Sequence, residues 1–428
     1  MSSAHATCAV VPPYLLNAIA QSPHLDETHK AAARFSLTAR DKYIKKRTER
    51  LAALTAPRGA QRHLAYRPSI VPDFLLKSII ESDNVDEETK ACAQRDLEHI
   101  QKVHASYQAV QGLAAKDKTE GQQTLAGDAS AGTTAAKFYR AVYDAKHDDD
   151  EDDLPGTQVR LEGQDAVKDE SANEAYDNCG HVLDFYAKIF NWKSIDNQNM
   201  HVISSVHFAK NYENAFWDPE KMQMVYGDGH DFLYHFTKCV DVIGHEMTHA
   251  VTEHTSPLDY QGQSGALNEH VSDVFGIMIK QMVEQEDAAN ADWLIGEGCL
   301  LPGVKGVALR NMKAPGTAYD DPRFGKDPQP DNFRDYKLTL DDNGGVHLYS
   351  GIPNKAFYLA SVAFGGFSWE KAGKIWWETM NSGRVPAKCT FLQFADVTVD
   401  KAEELFGDNA AKIVRDAWTQ VGVVRKGH

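Results

Sequence analysis

The pattern of hydrophobic and polar residues divides the chain into a strand-rich part and a helical part. Short strands are predicted at residues 140–143, 157–161 and 201–208, the last with clear alternation. Helical spacing occurs at residues 179–190 and dominates from about residue 241, most clearly at 354–364, 369–381 and 390–406. A strand-rich part followed by a helical part predicts an α+β unit with two lobes and a cleft where the lobes meet.

Two polar features of the strand-rich part are interpreted as surface structure. His201 and His207 lie on one face of the alternating segment, where we expect strand-surface residues rather than metal ligands. Residues 148–153 are all acidic. They could hold a cation weakly, but a solvated loop tip is the preferred interpretation.

An internal repeat with an offset of 60 residues occupies the amino-terminal part of the chain. Residues 11–33 and 71–93 match at 11 of 23 positions without a gap. Each copy has a proline-led apolar segment, an Asp-Glu helix start and a helix-forming stretch. Two copies are too few for a solenoid, so we predict a mostly helical amino-terminal region at residues 1–107.

Residues 108–136 are rich in Gly, Ala, Thr, Gln and Ser and contain almost no large apolar residue. This composition is typical of a flexible linker. Beyond it we predict a β-rich lobe at residues 137–240 and a helical lobe at residues 241–428.

Composition and charge exclude several classes of partner. The 428 residues are 42% hydrophobic, enough for more than one folding unit. Lys+Arg 45 against Asp+Glu 61 gives a net charge of −16, which repels phosphate, so we expect neither nucleic acid nor membrane as a partner.

No apolar run is long enough for a transmembrane helix. The first 13 residues show no secretory signal, which leaves cytoplasmic residence or another export route open. The six scattered cysteines are expected to be reduced packing thiols.

The strongest chemical signal is His-Glu-Met-Thr-His at residues 245–249. Residues four apart share one face of a helix, so His245 and His249 can bind one zinc ion, and Glu246 lies near enough to act on water at the metal. A third histidine of the extended motif is excluded because Thr252 and Thr255 stand at its required positions.

Glu269 is the preferred third zinc ligand. It lies in the segment Gly-Ala-Leu-Asn-Glu-His-Val-Ser-Asp, residues 265–273, and helical spacing places Asp273 on the same face. Asp273 is expected to accept the outer N–H of a ligand histidine. Two histidines and one glutamate would leave one zinc position open for water. An exposed acidic helix would explain Glu269 alone, but not its pairing with the upstream motif.

A third group of residues is Asp-Asp-Asn-Gly-Gly-Val-His at 341–347. The glycines allow a close approach of the backbone, and Asp342 can orient the imidazole of His347 across the turn. Taken alone, this segment would be a turn with a surface histidine. Its position beside the other motifs favours a catalytic role.

These motifs, together with Asn-Ala-Phe-Trp at 214–217, resemble in order and spacing the thermolysin family of zinc metalloendopeptidases. Residues 173–177 and 194–197 are most similar to its protealysin-like branch, and Pro-Pro-Tyr-Leu-Leu at 12–16 resembles the short propeptide of that branch. The resemblance covers about residue 137 to the end and implies the two-lobed thermolysin-like fold. The second copy of the amino-terminal motif departs from the branch, so which copy inhibits stays open.

The resemblance implies a zymogen that hydrolyses internal bonds of peptide or protein substrates, with its own amino-terminal region as intramolecular inhibitor. It assigns the zinc ion to His245, His249 and Glu269 and makes Glu246 the general base. The implied oxyanion donors and substrate-binding residues are His347 oriented by Asp342, Tyr260, Asn214, the carbonyl group of Ala215, and Arg310. Apolar Val242 and Leu309 beside the site imply a preference for a bulky apolar side chain after the cut.

The resemblance also implies a calcium site at Asp241, Asp292 and Glu297. Lys280 and Leu294 stand where further ligands are expected. A lysine ammonium could replace one cation by pairing with the carboxylates, so we do not expect two calcium ions there.

Two other functions stay open. One is a catalytically inactive, zinc-stabilised peptide-binding protein of the same fold, and the other is a different zinc hydrolase such as an exopeptidase. If the chain is a protease, we predict that the enzyme itself, or another copy of it, cuts the linker at about residues 108–137, because flexible exposed segments concentrate proteolysis.

Overall fold

The computed structural model describes residues 11–54, 138–212, 214–218, 221–229, 233–322, 325–340 and 342–425, with residues 41–54 described by backbone alone. The described residues of 11–51 and 138–425 belong to one compact unit. The second repeat copy at 71–93 and the linker at 108–136 lie outside the described residues. Among the described helices, none is long and apolar enough to cross a bilayer.

A five-stranded sheet forms the first lobe. Its strands are β1 (Arg140–Asp144), β2 (Thr157–Leu161), β3 (Val202–Val206), β4 (Ala215–Asp218) and β5 (Gln223–Tyr226), in the order β2-β1-β3-β5-β4. The central strands β1, β3 and β5 are parallel, whereas β2 and β4 pair antiparallel at the two edges. Parallel neighbours end at the same edge of a sheet, so the loops that follow β1, β3 and β5 are brought together.

The predicted strands are confirmed, with one correction at the end of the third. Strand β3 ends at Val206, so His207 is not a strand-surface residue. It lies in the following loop with a left-handed backbone (φ 57°) and is partly buried. His201 precedes β3 and is exposed, as expected.

Helix α3 (Glu170–Phe190) packs against the sheet; Val182 and Leu183 are buried in the core, and the ring of Tyr186 stacks on Phe275 in the helical part of the chain. It begins nine residues before the segment whose periodicity predicted it. The reason is Asp169, whose side chain accepts a hydrogen bond from the backbone N–H of Ala172 and caps the helix.

The second lobe is helical. Its helices are α4 (Val240–His254), α5 (Gly262–Glu284), α6 (Asp342–Tyr349), α7 (Gly351–Phe364), α8 (Ala372–Met380), α9 (Phe391–Phe406) and α10 (Asp408–Gln420). Four two-residue strands lie between α5 and α6: β6 (Leu294–Ile295), β7 (Arg310–Asn311), β8 (Asp320–Asp321) and β9 (Gly325–Lys326). The three predicted late helices correspond to α7, α8 and α9.

Helices α4 and α5 cross at close range because glycines face each other. A Cβ atom at Gly276 would lie 2.6 Å from the carbonyl oxygen of Asp241, and one at Gly244 would lie 3.1 Å from the Cα atom of Gly276. Any larger residue at 276 would push the helices apart. This crossing holds the histidine motif of α4, residues 245–249, against the acidic motif of α5, residues 265–273.

The first repeat copy packs on the same core. It forms α1 (Pro13–Gln21) and α2 (Glu27–Leu54), and Asp26 caps α2 by accepting from the backbone N–H of Thr28 and His29. Its apolar residues Val11, Leu15, Leu16 and Ile19 are buried in one cluster with residues of both lobes. Four cysteines are free and buried, as expected: Cys179, Cys239, Cys299 and Cys389. Cys8 and Cys92 lie outside the described residues.

Candidate active site

Two histidines and a glutamate converge at the crossing of α4 and α5. The Nε2 atoms of His245 and His249 lie 3.1 Å apart, and the Glu269 carboxylate oxygens lie 3.5 Å from the first and 3.8 Å from the second. Ligands bonded at about 2.0–2.1 Å to one tetrahedral ion are about 3.3 Å apart. The three side chains therefore need little movement to hold one zinc ion, and all three are buried.

Hydrogen bonds on the outer ring nitrogens fix both ligand imidazoles. The Nδ1 atom of His245 lies 2.8 Å from Asp273, as the sequence predicted. The Nδ1 atom of His249 lies 2.7 Å from the amide oxygen of Asn268 and 3.1 Å from the hydroxyl of Ser272. An acceptor at Nδ1 leaves the Nε2 lone pair for the metal. Sequence reasoning did not identify Asn268 or Ser272, although both lie in the acidic motif.

Arg310 contacts the carboxylate of Asp273 that lies behind His245. Its guanidinium donates to both oxygens of Asp273, at 2.8 Å from Nε and 2.6 Å from Nη2, and Asn354 donates to the same carboxylate at 2.8 Å. Arg310 is only 1% exposed. The sequence predicted a contact with substrate for Arg310, and the structure adds a second task, which is to hold the carboxylate that orients His245.

The charge balance of the pocket also fits a divalent cation. Oε2 of Glu269 and Oε1 of Glu246 are buried and accept no hydrogen bond from the described residues. Burial raises the pKa of Glu246 to about 8, partly opposed by His245. Burial also acts to raise the pKa of Glu269, but the neighbouring His347 and the ligand histidines outweigh it and hold that pKa well below its usual range. A dication between these carboxylates would stabilise their ionised forms.

His347 and Tyr260 face the same pocket. The Nδ1 atom of His347 lies 2.8 Å from Asp342, and its Nε2 atom lies 3.3 Å from the hydroxyl of Tyr260, which also donates to Glu269. The backbone N–H of His347 donates to Asp342 at 2.9 Å. This geometry needs a tight turn, and four successive residues in it have positive φ: Asp342, Asn343, Gly344 and Gly345.

Comparison with models of known protein families identifies the family of this chain. The model of the thermolysin metallopeptidase catalytic domain matches residues 88–253, and that of the thermolysin metallopeptidase alpha-helical domain matches residues 256–423. The chain belongs to the thermolysin family. Its members are zinc metallopeptidases, which agrees with the zinc site of His245, His249 and Glu269.

Individual relatives extend the similarity into the amino-terminal region. An extracellular metalloprotease of Pectobacterium carotovorum subsp. carotovorum is 42% identical over 83% of this chain and 96% of its own length. Protease PrtS of a Photorhabdus strain is 40% identical over 83% and 91%. The solved structure of the precursor of protealysin, a metalloproteinase from Serratia proteamaculans, is 43% identical, has a TM-score of 0.66 and covers 84% of this chain and all of its own. The match to a precursor shows that the present chain also has a propeptide region.

The first repeat copy of this chain contacts Asn214, one of the predicted substrate-binding residues. The backbone N–H of Val11 donates to the side-chain oxygen of Asn214 at 3.1 Å, and both residues are fully buried. Tyr14 is partly buried against the core, and burial raises the pKa of its hydroxyl well above the usual value, with the charge of Arg310 opposing the rise. Ala215 begins β4, which lies at the edge of the sheet.

Arg40 is a contact that the sequence did not predict. It lies on α2, it is 6% exposed, and its Nη2 atom is 3.7 Å from Oδ1 of Asp342, the residue that orients His347. The repeat pattern could not reveal this contact, because Arg40 lies beyond residues 11–33.

Lys280 occupies the centre of the carboxylate group predicted for calcium. Its ammonium lies 2.9 Å from Asp292, 3.1 Å from Glu297 and 3.4 Å from the carbonyl oxygen of Leu294. Asp241 is buried beside it and accepts from the backbone N–H of Gly296 at 2.6 Å. The carboxylates raise the pKa of the lysine above its usual value, although burial opposes the rise, so Lys280 is a fixed positive charge at neutral pH.

Proposed function

We propose that this zymogen uses His245, His249 and Glu269 to hold one catalytic zinc ion and Glu246 as the general base for hydrolysis of internal peptide bonds. The observation that carries the proposal is the convergence of the three ligand atoms within 3.1–3.8 Å of one another beside the buried carboxylate of Glu246. Structural zinc sites usually have four protein ligands, whereas three protein ligands are typical of a catalytic site.

When bound, the zinc ion acidifies water and polarises the scissile carbonyl group. Glu246 takes the proton of the attacking water and passes it to the leaving amine, a task helped by a pKa raised towards neutrality. His347 and Tyr260 donate hydrogen bonds to the oxyanion, and Asp342 holds His347 in place. Loss of one such donor typically costs about 3 kcal/mol of transition-state stabilisation.

We propose that two parts of the site select the substrate: strand β4 at the edge of the sheet, and an apolar wall formed by Val242 and Leu309. Asn214 and the Ala215 carbonyl would pair with the substrate backbone. The amide nitrogen of Asn214 is buried without an acceptor among the described residues, and a substrate carbonyl would supply one. Val242 and Leu309 are fully buried and apolar, which supports a preference for a bulky apolar side chain after the cut.

The first repeat copy, not the second, is the proposed inhibitor. The Val11–Asn214 hydrogen bond takes the place that a substrate backbone would use. Pro12 and Pro13 follow and have no N–H to donate, and Pro13 starts helix α1, so the chain leaves the extended conformation at once. A chain that turns into a helix does not present an extended peptide bond to Glu246.

The experiment that tests the proposal follows hydrolysis of an internally quenched peptide with both ends blocked. The wild-type chain should cleave it, lose activity on chelation and regain it with zinc. Glu246→Ala should be inactive and stay at full length, whereas Glu403→Gln, an exposed glutamate on α9, should behave as the wild type. A chain that binds the peptide without cleaving it would support the binding-protein alternative. A requirement for a free terminus would indicate an exopeptidase.

A further inference from the structure

Three loops of the first lobe bring a second set of metal-binding side chains together. His147 follows β1, His207 follows β3 and Asp228 follows β5, and these three strands are the parallel neighbours at the centre of the sheet. One ligand atom from each residue lies within 4.8 Å of the others. The carboxyl ends of parallel strands are the usual place for ligand sites in open sheets. This cluster lies in the first lobe and shares no residue with the catalytic set.

The distances suit a transition-metal ion. The Nδ1 atom of His207 lies 2.7 Å from Oδ1 of Asp228, and the Nδ1 atom of His147 lies 3.5 Å from Oδ2 of the same carboxylate. Ligands of one tetrahedral zinc ion are about 3.3 Å apart. The first pair has to open by about 0.6 Å and the second has to close by about 0.2 Å, which a change in side-chain rotation can supply.

A second carboxylate orients the central histidine. Oδ2 of Asp169 lies 2.9 Å from the Nε2 atom of His207, on the side of the ring away from Asp228. Asp169 also caps α3, so its position is set by the helix. A carboxylate on the outer nitrogen of a ligand imidazole is the arrangement seen at His245 with Asp273 in this protein.

We propose that His147, His207 and Asp228 form a second binding site for a divalent transition-metal ion such as Zn²⁺, with Asp169 as the residue that orients His207. Two imidazoles and one carboxylate favour zinc, nickel or copper over calcium and magnesium, which prefer oxygen ligands. The ion would tie together the loops after β1, β3 and β5. The two loops that carry the histidines are already joined by a hydrogen bond from the backbone N–H of His147 to the carbonyl oxygen of His207.

A proton competes with the metal at this site. The hydrogen bond to Asp228 raises the pKa of His207 to about 9, with burial opposing the rise and Asp169 adding to it. Binding of a cation between His207 and Asp228 therefore displaces a proton. An imidazolium that outcompetes the metal is the specific alternative that the experiment must exclude.

The test counts zinc in the intact chain carrying Glu246→Gln, which prevents self-cleavage. After equilibration with micromolar free zinc, elemental analysis should find two ions per chain, and one when His147→Ala is added. His147 is 54% exposed, so its removal should not disturb folding. His201→Ala, an exposed histidine at the other end of β3, is the matched control and should keep two ions. Asp228→Asn should also lower the count to one.

Affinity gives a second readout. Competition with a chelating dye should show the weaker site of the parent chain, and His147→Ala should weaken that site at least about tenfold, since one of three protein ligands is lost. Two results would overturn the proposal: a parent chain that binds a single zinc ion at every zinc concentration tested, or a second ion that His147→Ala and Asp228→Asn both retain.

Discussion

Asp273 is expected to have two roles, orientation of the zinc ligand His245 and stabilisation of the fold. Replacement of Asp273 by asparagine should affect zinc affinity and unfolding free energy by different amounts. The Asp273 carboxylate accepts hydrogen bonds from Arg310 and Asn354 and lies 2.8 Å from the outer nitrogen of His245. Arg310 and His245 lower the pKa of Asp273 far enough to outweigh its burial. Asparagine keeps the shape of this side chain but removes its charge, so a buried guanidinium loses its partner.

Two effects of different size are expected from Asp273→Asn. Removal of one partner from a buried ion pair costs about 3–5 kcal/mol of unfolding free energy, because the remaining charge is uncompensated. Loss of the carboxylate behind a ligand histidine weakens zinc affinity about 10- to 100-fold, which is about 1.4–2.7 kcal/mol. The stability cost should therefore exceed the binding cost.

A double variant distinguishes the two effects. Chemical unfolding and zinc competition with a chelating dye are measured for two variants. One carries Asp273→Asn alone, and the other carries Asp273→Asn together with Arg310→Met. The methionine removes the unpaired charge, so the double variant should recover part of the lost stability while zinc affinity stays low. Asp396→Asn, an exposed residue on α9, is the control for the chemical change. The reasoning is refuted if zinc affinity in Asp273→Asn equals that of the wild type, or if Arg310→Met lowers stability further in the Asp273→Asn background.

Three other replacements test separate parts of the molecule. Arg40→Ala removes a buried cation 3.7 Å from Asp342 and should raise peptide hydrolysis by the intact chain about tenfold, if the contact contributes about 1.4 kcal/mol to inhibition; unchanged activity would contradict this. Lys280→Met should lower unfolding free energy by about 3–5 kcal/mol, because the charge of buried Asp241 is left uncompensated, and millimolar calcium should restore part of it, as thermal unfolding would show. His347→Ala should lower kcat/KM about 10²- to 10³-fold at unchanged zinc content; a loss of zinc would point to a structural role instead.

Local sequence signals were sufficient for the parts of the site that lie on single elements. The spacing of His245 and His249 depends only on the helical repeat, and so does the relation of Glu269 to Asp273. The turn before His347 could be predicted because glycines mark backbone with positive φ, which the structure confirms at 344 and 345. Strands β1, β2 and β3 and helices α7, α8 and α9 were predicted from hydrophobic periodicity, which is also a local signal, whereas strands β4 and β5 were not predicted.

Contacts between distant elements could not be predicted in this way. The pairing of Arg310 with Asp273 and the approach of Arg40 to Asp342 depend on how helices and loops pack, which periodicity does not encode. His207 was misassigned because the alternation of residues 201–208 continues two residues past the end of β3 at Val206. Its relation to Asp228 and Asp169 depends on the order of strands in the sheet, which alternation alone does not specify.

The most direct test of the account is a zinc titration of the metal-free enzyme after its amino-terminal region has been cut away. If His245, His249 and Glu269 hold the ion that hydrolysis requires, activity should rise in proportion to added zinc and level off at one tightly bound ion per chain. Full turnover by the zinc-free enzyme, or no recovery after the first equivalent has bound, would contradict the account.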